Sequence, residues 1–471
     1  MFKLIRSRKG KISILALWGM AIFLMSGGLA LAQDPSGAAT LAADSTAAVN
    51  FTWTLMAAFL VFFMQAGFAF LGAGLIRSKN TVNYMTKSFM DFAVAALSFW
   101  AFGFALMFGG SAVASGLMDG NAWIGYSGFF LSGQAYDVST AELWIFQMVF
   151  AGTAATIVAG AVAERMKINA YLAYAFIVGA IIYPLYGHQI WGGGWLSTLD
   201  LGAGAVDFAG SGVVHAVGGF VGLAGAIMVG ARIGKFNADG TSNDIRGHNI
   251  PYIPIGVFIL FFGWFGFNAG STLAATELRI SIIAVNTLLA GAAGAIVGLY
   301  YSIARTGKAD IGSAANGTLA GLVGITASCA WVAPWAAVVI GIIAALVMKG
   351  SSYAVERWLK VDDPVGAVSV HGAAGIWGLL SVGFFADGTY GNYTTDGPFV
   401  TGLFYGEWEQ LAAQLISAVM VVAWSLGTGL LLFWVLKKTM GIRASREEEL
   451  EGLDMPEHGL AAYPEFVSPQ K

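Results

Sequence analysis

The chain has 471 residues, of which 57% are hydrophobic and 11% charged, and its mean hydropathy is +0.71. This composition excludes an ordinary soluble domain and predicts an all-α integral membrane protein with many helices. The net charge of −3 leaves no basic face or arm, so no nucleic-acid partner is expected. Cys329 is the only cysteine, which excludes an intrachain disulfide. Glycine occurs 64 times, about twice the usual ~7%, which suits close helix packing in lipid.

The N-terminus has the pattern of a targeting segment. Five basic residues precede an apolar stretch over 12–29, and Ala30-Leu-Ala32 has the small-x-small form of a signal-peptidase site. We therefore predict that residues 1–32 are a cleaved signal peptide. The alternative is a retained first membrane helix, but the polar stretch over 33–50 that follows favours processing.

Eleven apolar stretches follow, each near the ~20 residues needed to cross ~30 Å of hydrocarbon. They define one membrane domain over 33–437, followed by a tail over 438–471. The first ten stretches divide into halves at about 52–231 and 251–386, and the eleventh lies at about 411–436. The predicted spans are 52–76, 88–110, 142–163, 168–187, 208–231, 251–270, 281–304, 311–329, 332–350, 366–386 and 411–436.

The basic residues predict the orientation in the membrane. Outside the predicted signal peptide the chain has nineteen Lys and Arg residues, and eighteen of them fall on one side of the predicted spans. Only Arg279 falls on the other side. Because cytoplasmic loops carry an excess of basic residues, the mature N-terminus is predicted outside and the tail in the cytoplasm. We expect a multi-pass protein of the plasma (inner) membrane, surrounded by the lipid bilayer.

Two stretches of the sequence match one another around a histidine. Asp207 precedes His215 by eight residues, Asp363 precedes His371 by eight, and several glycines align between the stretches. The predicted orientation makes the two helices run in opposite directions, which indicates an inverted repeat of five plus five spans. Eight helical residues advance ~12 Å, so both histidines are expected to meet near the bilayer centre and to line a pore. The alternative is that each histidine only hydrogen-bonds a backbone group inside the bundle.

Several longer motifs occur in order along the chain. They are Phe146-Gln-Met-Val-Phe150, Gly160-Ala-Val-Ala-Glu-Arg165, Ala209-Gly-Ser-Gly-Val-Val-His215, Gly263-Trp-Phe-Gly-Phe-Asn-Ala-Gly-Ser271, and Val361-Asp-Asp-Pro364 leading to His371-Gly372. With these motifs the chain resembles the ammonium transporter family, in the Amt branch of the Amt/Mep/Rh superfamily, from about residue 50 to the tail. The resemblance implies an eleven-helix, inverted-repeat bundle, assembled as a homotrimer with one pore in each subunit.

By this resemblance, aromatic and polar side chains form an external recruitment site for ammonium, with methylammonium as a second substrate. Trp191 and Phe150 would contribute aromatic faces, which attract a cation by ~0.5–2 kcal/mol as water is removed. The Ser271 hydroxyl can accept one of the N–H bonds of the cation. Gln147, one turn from Phe150 on the same predicted span, would add a carbonyl acceptor.

The resemblance also implies a gate below this site and a pore beneath the gate. Phe150 and Phe267 are the expected gate, and Trp264 is expected to line the pore with His215 and His371. A bare ammonium ion would lose solvation that apolar walls cannot replace, so we predict deprotonation near the gate. Ammonia would then pass the histidines, with or without the proton, which their ring nitrogens can relay.

The remaining ionisable residues of the predicted spans are expected to be structural. Asp207 and Asp363 stand at helix starts, where a carboxylate caps free N–H groups and complements the helix dipole. Asp91 follows Lys87 by one turn, which predicts an ion pair along one helix face. Three further histidines are expected only to be exposed to solvent, namely His188, His248 and His458.

Three other functions share part of this pattern. A Rh-type neutral gas channel has twin histidines, but such channels generally lack the cation site expected from Trp191, Phe150 and Ser271. A signalling sensor needs an output domain, and only 35 residues follow the last predicted span. A metal-dependent membrane enzyme needs a third protein ligand beside His215 and His371, and no other Cys, His, Asp or Glu falls near midplane. We therefore predict no enzymatic activity, no metal and no cofactor.

The tail over 438–471 is the predicted regulatory segment. Residues 443–451 are charged and helix-prone, and residues 452–459 resemble the C-terminal segment of the family. By resemblance, this tail docks on the cytoplasmic face, contacts the neighbouring subunit and binds a PII-type signal protein. The alternative is a disordered acidic end.

Overall fold

The computed structural model describes residues 33–114, 116–392 and 398–466, and the predicted signal peptide at 1–32 lies outside them. Ten helices in this part of the chain are long and apolar enough to cross a membrane. The fold is therefore the helical membrane bundle that the composition predicts. In chain order, its helices are α1 (Ala47–Leu75), α2 (Ser78–Phe108), α3 (Val138–Val162), α4 (Ile168–Trp191), α5 (Ser211–Val229), α6 (Tyr252–Thr272), α7 (Ile280–Thr306), α8 (Ile311–Thr326), α9 (Pro334–Trp358), α10 (Val368–Phe385) and α11 (Trp408–Thr439).

Helix α8 is not among the ten helices that are long and apolar enough to cross a membrane. It has 16 residues, which is about 24 Å of helix, whereas the sequence predicted a span over 311–329. The turn that follows α8 is held by α7, because Asn286 Nδ2 donates to the carbonyl oxygens of Cys329 at 2.9 Å and Val332 at 2.8 Å. The total of eleven spanning helices therefore stays a prediction.

The helices differ in how deeply they are buried. Helix α3 buries 94% of its most apolar stretch and α5 buries 83%, whereas α7, α9 and α11 each bury 33%. Large apolar side chains such as Phe258, Leu288 and Leu431 are exposed on the outer helices. A helix that is apolar on all sides suits a position between the protein interior and lipid. Helices α3 and α5 thus form the centre of the bundle.

Glycine lets neighbouring helices touch backbone to backbone. A Cβ atom at Gly294 of α7 would lie 2.2 Å from the Gly317 carbonyl oxygen of α8, and one at Gly317 would lie 2.4 Å from that of Gly294. A Cβ atom at Gly219 of α5 would lie 2.3 Å from the Gly372 nitrogen of α10. Any larger residue would push these helices apart, because their backbones are already in contact.

Helices α5 and α10 both begin with a π-helical turn, over Ser211–Ala216 and Val368–Ala373. Each turn contains one of the two histidines of the predicted repeat. A Cβ atom at Gly375 of α10 would lie 2.5 Å from the Ser211 carbonyl oxygen, so the two helix starts pack against each other. Because π-helical turns are rare and frequent at functional sites, this junction is where a site is expected.

The chain after α11 folds back onto one end of the bundle. It contains two short helices, Arg446–Glu451 and Asp454–His458. The Ala444 amide donates to the Arg165 carbonyl oxygen at 3.0 Å, and Glu449 Oε1 accepts from the Ile233 amide at 2.7 Å. We call this end of the bundle the tail end and the other, which carries Trp191, the opposite end.

Helix α2 extends further toward the tail end than its apolar sequence predicts. It begins at Ser78, ten residues before the predicted span, and its first turns are polar. These turns are covered by the tail, since Asp454 Oδ1 accepts from the Asn83 amide at 2.8 Å and the Leu453 amide donates to Asn80 Oδ1 at 2.9 Å. The polar side chains of these first turns are therefore buried against the tail, although their sequence is typical of an exposed loop.

A buried ion-pair network joins three segments at the tail end. The Arg232 guanidinium lies 2.8 Å from Asp362 Oδ2 and 2.6 Å from Glu164 Oε1. Burial alone would raise the pKa of Asp362, but the Arg232 hydrogen bonds outweigh it and hold that pKa at about 2. The network thus fixes the ends of α3 and α5 to the segment that leads into α10.

One element was absent from the predicted pattern. Strands β1 (Asp387–Gly391) and β2 (Phe399–Thr401) form a small antiparallel hairpin between α10 and α11. The hairpin is tied to the turn after α8, because Trp331 Nε1 donates to the Gly391 carbonyl oxygen at 3.0 Å.

Candidate functional site

A cavity of about 170 Å³ opens at the opposite end of the bundle. It collects side chains from α3, α4 and α6, which are distant in sequence. All four predicted recruitment residues line it, namely Trp191, Phe150, Ser271 and Gln147. Most of the other lining residues are apolar, for example Phe146, Ile190 and Phe208. The cavity is therefore an apolar recess with a small number of polar atoms.

The polar atoms of this cavity act mainly as acceptors. Trp191 Nε1 donates to the Asp207 carbonyl oxygen at 2.7 Å, so the indole N–H is already engaged. The Ser271 hydroxyl donates to the Phe267 carbonyl oxygen at 2.8 Å, which leaves its oxygen lone pairs for another donor. Gln147 Oε1 is buried without a hydrogen-bond partner. The free groups suit a small ligand that carries several N–H bonds.

Two phenylalanine rings close the floor of the cavity. Phe150 and Phe267 are stacked with their ring centroids 4.1 Å apart and their planes at 28°. Both side chains are fully buried. Trp191 meets Phe150 edge to face with centroids 6.0 Å apart, so the cavity wall continues into this pair.

The two histidines lie directly beyond the phenylalanine pair. The His215 ring stacks on Phe267 at 5.3 Å and on Trp264 at 5.0 Å between centroids. His215 Nδ1 and His371 Nδ1 are 3.1 Å apart, so one nitrogen donates and the other accepts. His215 Nε2 has no hydrogen-bond partner. Trp264 is held in place by its Nε1, which donates to Thr326 Oγ1 at 2.8 Å.

A second, smaller cavity continues the line beyond His371. It has about 20 Å³, and Phe68, Tyr84 and Thr156 line it together with His371. The Phe68 ring lies 6.1 Å from the His371 ring. No local sequence pattern marks Phe68, Tyr84 or Thr156, because each is an ordinary helical residue whose neighbours depend on how the bundle packs. We call this space the inner cavity.

Comparison with known proteins identifies the family. The model of the Ammonium Transporter Family matches residues 52–463. The chain belongs to the ammonium transporter family. Within that family it is 54% identical over 440 residues to Ammonium transporter Amt2 of Archaeoglobus fulgidus, covering 92% of each chain. It is 37% identical to Ammonium transporter 3 of Dictyostelium discoideum, covering 88% of this chain and 93% of that one.

Solved structures of the family have the same fold. A protein described as Sensor Amt Protein matches with a TM-score of 0.78 and 38% identity, over 88% of this chain and 99% of that chain. Mep2 of Candida albicans matches with a TM-score of 0.77 and 29% identity, over 90% and 92% of the two chains. The helical bundle of this family member is therefore shared with known Amt and Mep structures.

The two acids that precede the histidines both accept backbone N–H groups. The Asp207 carboxylate accepts four, from residues 210 to 213, at 2.8 to 3.0 Å. The Asp363 carboxylate accepts two, from Ala367 at 3.0 Å and Val368 at 2.8 Å. Burial raises the pKa of Asp363 to about 6. Neither carboxylate lines the cavity at the opposite end, so the geometry favours capping over direct contact with a ligand.

The prediction that Asp91 pairs with Lys87 is wrong. Asp91 Oδ2 accepts from the Tyr171 hydroxyl at 2.6 Å. Lys87 Nζ instead donates to Asn83 Oδ1 at 2.7 Å and lies 3.8 Å from Glu457 of the tail. Spacing along α2 allowed the pair, but α4 and the tail supply nearer partners.

The prediction of solvent exposure is wrong for His188. This side chain is 1% exposed, and its two ring nitrogens each lie 2.7 Å from a carbonyl oxygen, of Met107 and Asn121. His248 is half-buried, and its Nε2 lies 2.8 Å from the Tyr463 hydroxyl of the tail. The end of α2 and the loop that follows it bury His188, and the tail partly buries His248. No local sequence pattern predicts either contact.

Proposed function

We propose that this chain transports ammonium across the plasma membrane by recruiting the cation, removing its proton and conducting ammonia. Ammonium enters the cavity at the opposite end, loses a proton at the phenylalanine pair, and passes as ammonia along His215 and His371. The observation that carries the proposal is the 3.1 Å contact between the two Nδ1 atoms, directly beneath the stacked Phe150 and Phe267. The names of the relatives as ammonium transporters support the choice of substrate.

The cavity has the chemistry to hold ammonium before it enters the pore. Trp191 and Phe150 present aromatic surface, which attracts a cation by ~0.5–2 kcal/mol when water is partly removed. Ser271 and Gln147 supply oxygen acceptors for two of the four N–H bonds. Potassium has no N–H bonds to satisfy these acceptors directionally, so the site favours ammonium.

Dehydration makes deprotonation the easier route past the phenylalanine pair. Beyond Phe150 and Phe267 the walls are rings and aliphatic side chains, which cannot replace the hydration shell of a cation. Ammonia is neutral and loses far less solvation. The proton therefore separates from the nitrogen at or above this pair, and the gate selects against ions that have no proton to lose.

The histidine pair suits both ammonia and a proton. Neutral imidazole has one donor and one acceptor nitrogen, so His215 and His371 share one N–H between their Nδ1 atoms. The Nε2 of His215, which has no hydrogen-bond partner, is then available to exchange a hydrogen bond with passing ammonia. A proton crosses the pair when the Nε2 of one histidine gains a proton, the shared hydrogen passes from its Nδ1 to the Nδ1 of the other, and the Nε2 of that second histidine releases its proton.

The proposed orientation places the tail end in the cytoplasm and the recruitment cavity outside. The excess of Lys and Arg at the tail end supports it. On this view the mature N-terminus is outside, residues 1–32 are removed as a signal peptide, and α8 completes eleven spans. Helices α5 and α10 are then the inverted partners of a five-plus-five repeat, in which Gly210 and Gly366 both adopt positive φ, of 112° and 81°.

The proposed assembly is a homotrimer with one pore per subunit and a PII-type protein at the tail end. Exposed apolar residues on α6 and α7, such as Phe258, Phe262 and Leu288, support contacts with lipid and with neighbouring subunits. The folded tail supports a docking surface for a regulator, because it already packs on the first turns of α2 and on the segment that follows α3.

Purified protein in liposomes tests the proposal. Addition of ammonium should evoke a current or a change in internal pH, methylammonium a smaller response, and potassium none. Protein-free liposomes are the control for leakage of ammonia through the lipid. A response no larger than in protein-free liposomes, or an equal response to potassium, would contradict the proposed function.

A further inference from the structure

The proposed pathway leaves one buried carboxylate without a role. Asp91 of α2 is 0% exposed. Its Oδ2 accepts from the Tyr171 hydroxyl at 2.6 Å, and its Oδ1 has no hydrogen-bond partner. A buried carboxylate is costly unless it is paired or protonated, so an acid with a free oxygen inside a membrane bundle is a functional candidate.

No protein cation neutralises Asp91 in the described part of the chain. The nearest cation on its own helix is Lys87, whose amine is bound to Asn83 and lies near Glu457 of the tail. The other titratable groups that face Asp91 are phenols, namely Tyr84 on α2 and Tyr171 and Tyr174 on α4. A phenol can donate a hydrogen bond but brings no positive charge, so a proton is the available counter-ion.

Asp91 stands beside the wall of the inner cavity. Thr156 of α3 lies close to its carboxyl group and also lines the inner cavity together with His371, while the Thr156 hydroxyl itself lies within hydrogen-bond distance of the Gly152 carbonyl oxygen at 2.8 Å and of Gln65 Oε1 at 3.0 Å. Tyr84, seven residues before Asp91 and on the same face of α2, lines the cavity as well. The cavity volume of about 20 Å³ is enough for one water molecule. A water in this cavity would contact both His371 and Thr156, and Thr156 is the side chain that separates the cavity from the carboxylate.

We propose that Asp91 is a second proton-binding residue of the transporter, which takes the transported proton after it leaves His371. The inference rests on the proposed function, because it needs a proton released from ammonium on the pore axis. In this step an N–H bond of the histidine pair breaks, a water in the inner cavity carries the proton, and an O–H bond forms at Asp91. Ammonia crosses the same cavity separately.

The cycle closes when the proton returns to water. The O–H bond at Asp91 breaks, the carboxylate is restored, and the proton leaves to water at the tail end. There it recombines with ammonia, so one ammonium ion disappears outside and one appears in the cytoplasm. Separate positions for the proton and ammonia keep ammonium from re-forming inside the narrow part of the pore, where the cation would be poorly solvated.

Asp91→Asn is the test, because asparagine keeps an acceptor for Tyr171 but takes no proton. In liposomes, we expect the ammonium-evoked current to fall at least about tenfold, as for loss of a proton-transfer group. Ammonia flux through the pore, measured by internal alkalinisation at high pH, should stay within about twofold of wild type, since the ammonia path is intact. Thr156→Val, which removes the hydroxyl but keeps the shape of the side chain, should lower the current in the same way.

Tyr171→Phe is the matched control. It removes the hydrogen bond between α2 and α4 and leaves the carboxylate, so the current should persist. If Tyr171→Phe and Asp91→Asn lower current and ammonia flux equally, Asp91 only holds two helices together and the inference is wrong. Wild-type current in both Asp91→Asn and Thr156→Val would also overturn it. Failure of the wild-type protein to respond to ammonium would instead contradict the proposed function, so the two failures are distinguishable.

Discussion

The starts of α5 and α10 have nearly the same local structure and very different surroundings. Each has an aspartate eight residues before a histidine, a glycine with positive φ, and a π-helical turn around that histidine. Yet Asp207 accepts four backbone N–H groups, whereas Asp363 accepts two and adjoins the Arg232–Asp362 ion pair.

The comparison separates what a helix start does from what its environment adds. In both cases the cap and the turn bring a histidine to the junction of α5 and α10. The surroundings then place the start of α5 beside the apolar cavity, which Phe208 lines, and the start of α10 beside the charged tail end. Local sequence can thus determine the geometry of the two helix starts, while the packing of distant segments determines whether each start has apolar or charged surroundings.

The histidine pair is where the two starts meet, and its removal should have the largest effect. His215→Ala or His371→Ala should lower ammonium-evoked current by roughly a hundredfold, or open a wetter path that also passes potassium. The measurement is current in liposomes with and without competing potassium. Replacement by Asp or Glu should retain uptake but lose discrimination, since a carboxylate stabilises any cation. Wild-type current and selectivity in both alanine variants would show that the pair is packing only.

Removal of the Asp207 and Asp363 side chains should destabilise the protein by different amounts, because the two carboxylates accept different numbers of backbone N–H groups. Asp207→Ala leaves four N–H groups without their acceptor and should cost about 4 kcal/mol, at ~1 kcal/mol each, while Asp363→Ala leaves two and should cost about 2 kcal/mol. Thermal unfolding of the purified variants in one detergent measures the difference. Equal shifts for the two variants would mean that the cavity wall or the ion-pair network, rather than capping, dominates at these positions.

The recruitment cavity adjoins only the start of α5, and Trp191 is the largest aromatic residue that lines it. Trp191→Leu should weaken the apparent affinity for ammonium and methylammonium roughly threefold to thirtyfold, which corresponds to the loss of one cation–π contact. Concentration dependence of flux in proteoliposomes measures it. Trp195→Leu is the control, because Trp195 packs against Trp123 and does not line the cavity. Unchanged saturation in Trp191→Leu would reject the recruitment role.

The tail covers only the tail end of the bundle, away from the recruitment cavity, and its loss should have the smallest effect. Deletion from Arg443 onward removes the contacts of Glu449 and Asp454 with the bundle, so flux should fall or lose regulation by about twofold to threefold while the protein stays folded. Flux, oligomer mass and PII binding of the shortened protein are the measurements. If all three equal wild type, the tail is passive.

The pattern of apolar residues was sufficient for the membrane class and for most helices. Helix α6 spans Tyr252–Thr272 where 251–270 was predicted, because an uninterrupted apolar run with polar flanks has few alternatives in lipid. Hydropathy alone does not predict the first ten residues of α2, because their polar side chains are buried by the tail rather than exposed. It also overestimated α8, because the buried turn after Thr326 is as apolar as the helix itself.

The sequence by itself determined that the chain is a membrane helical bundle and that two histidines follow aspartates at equal spacing. Those properties depend on helix capping, which acts within about one helical turn, and on hydropathy, which acts over the length of one membrane span. Only the tertiary structure decided that the Nδ1 atoms meet at 3.1 Å, that Asp91 contacts Tyr171 rather than Lys87, and that His188 is buried. Each of these depends on which helices are neighbours, and the contacts that select neighbours join residues far apart in the chain.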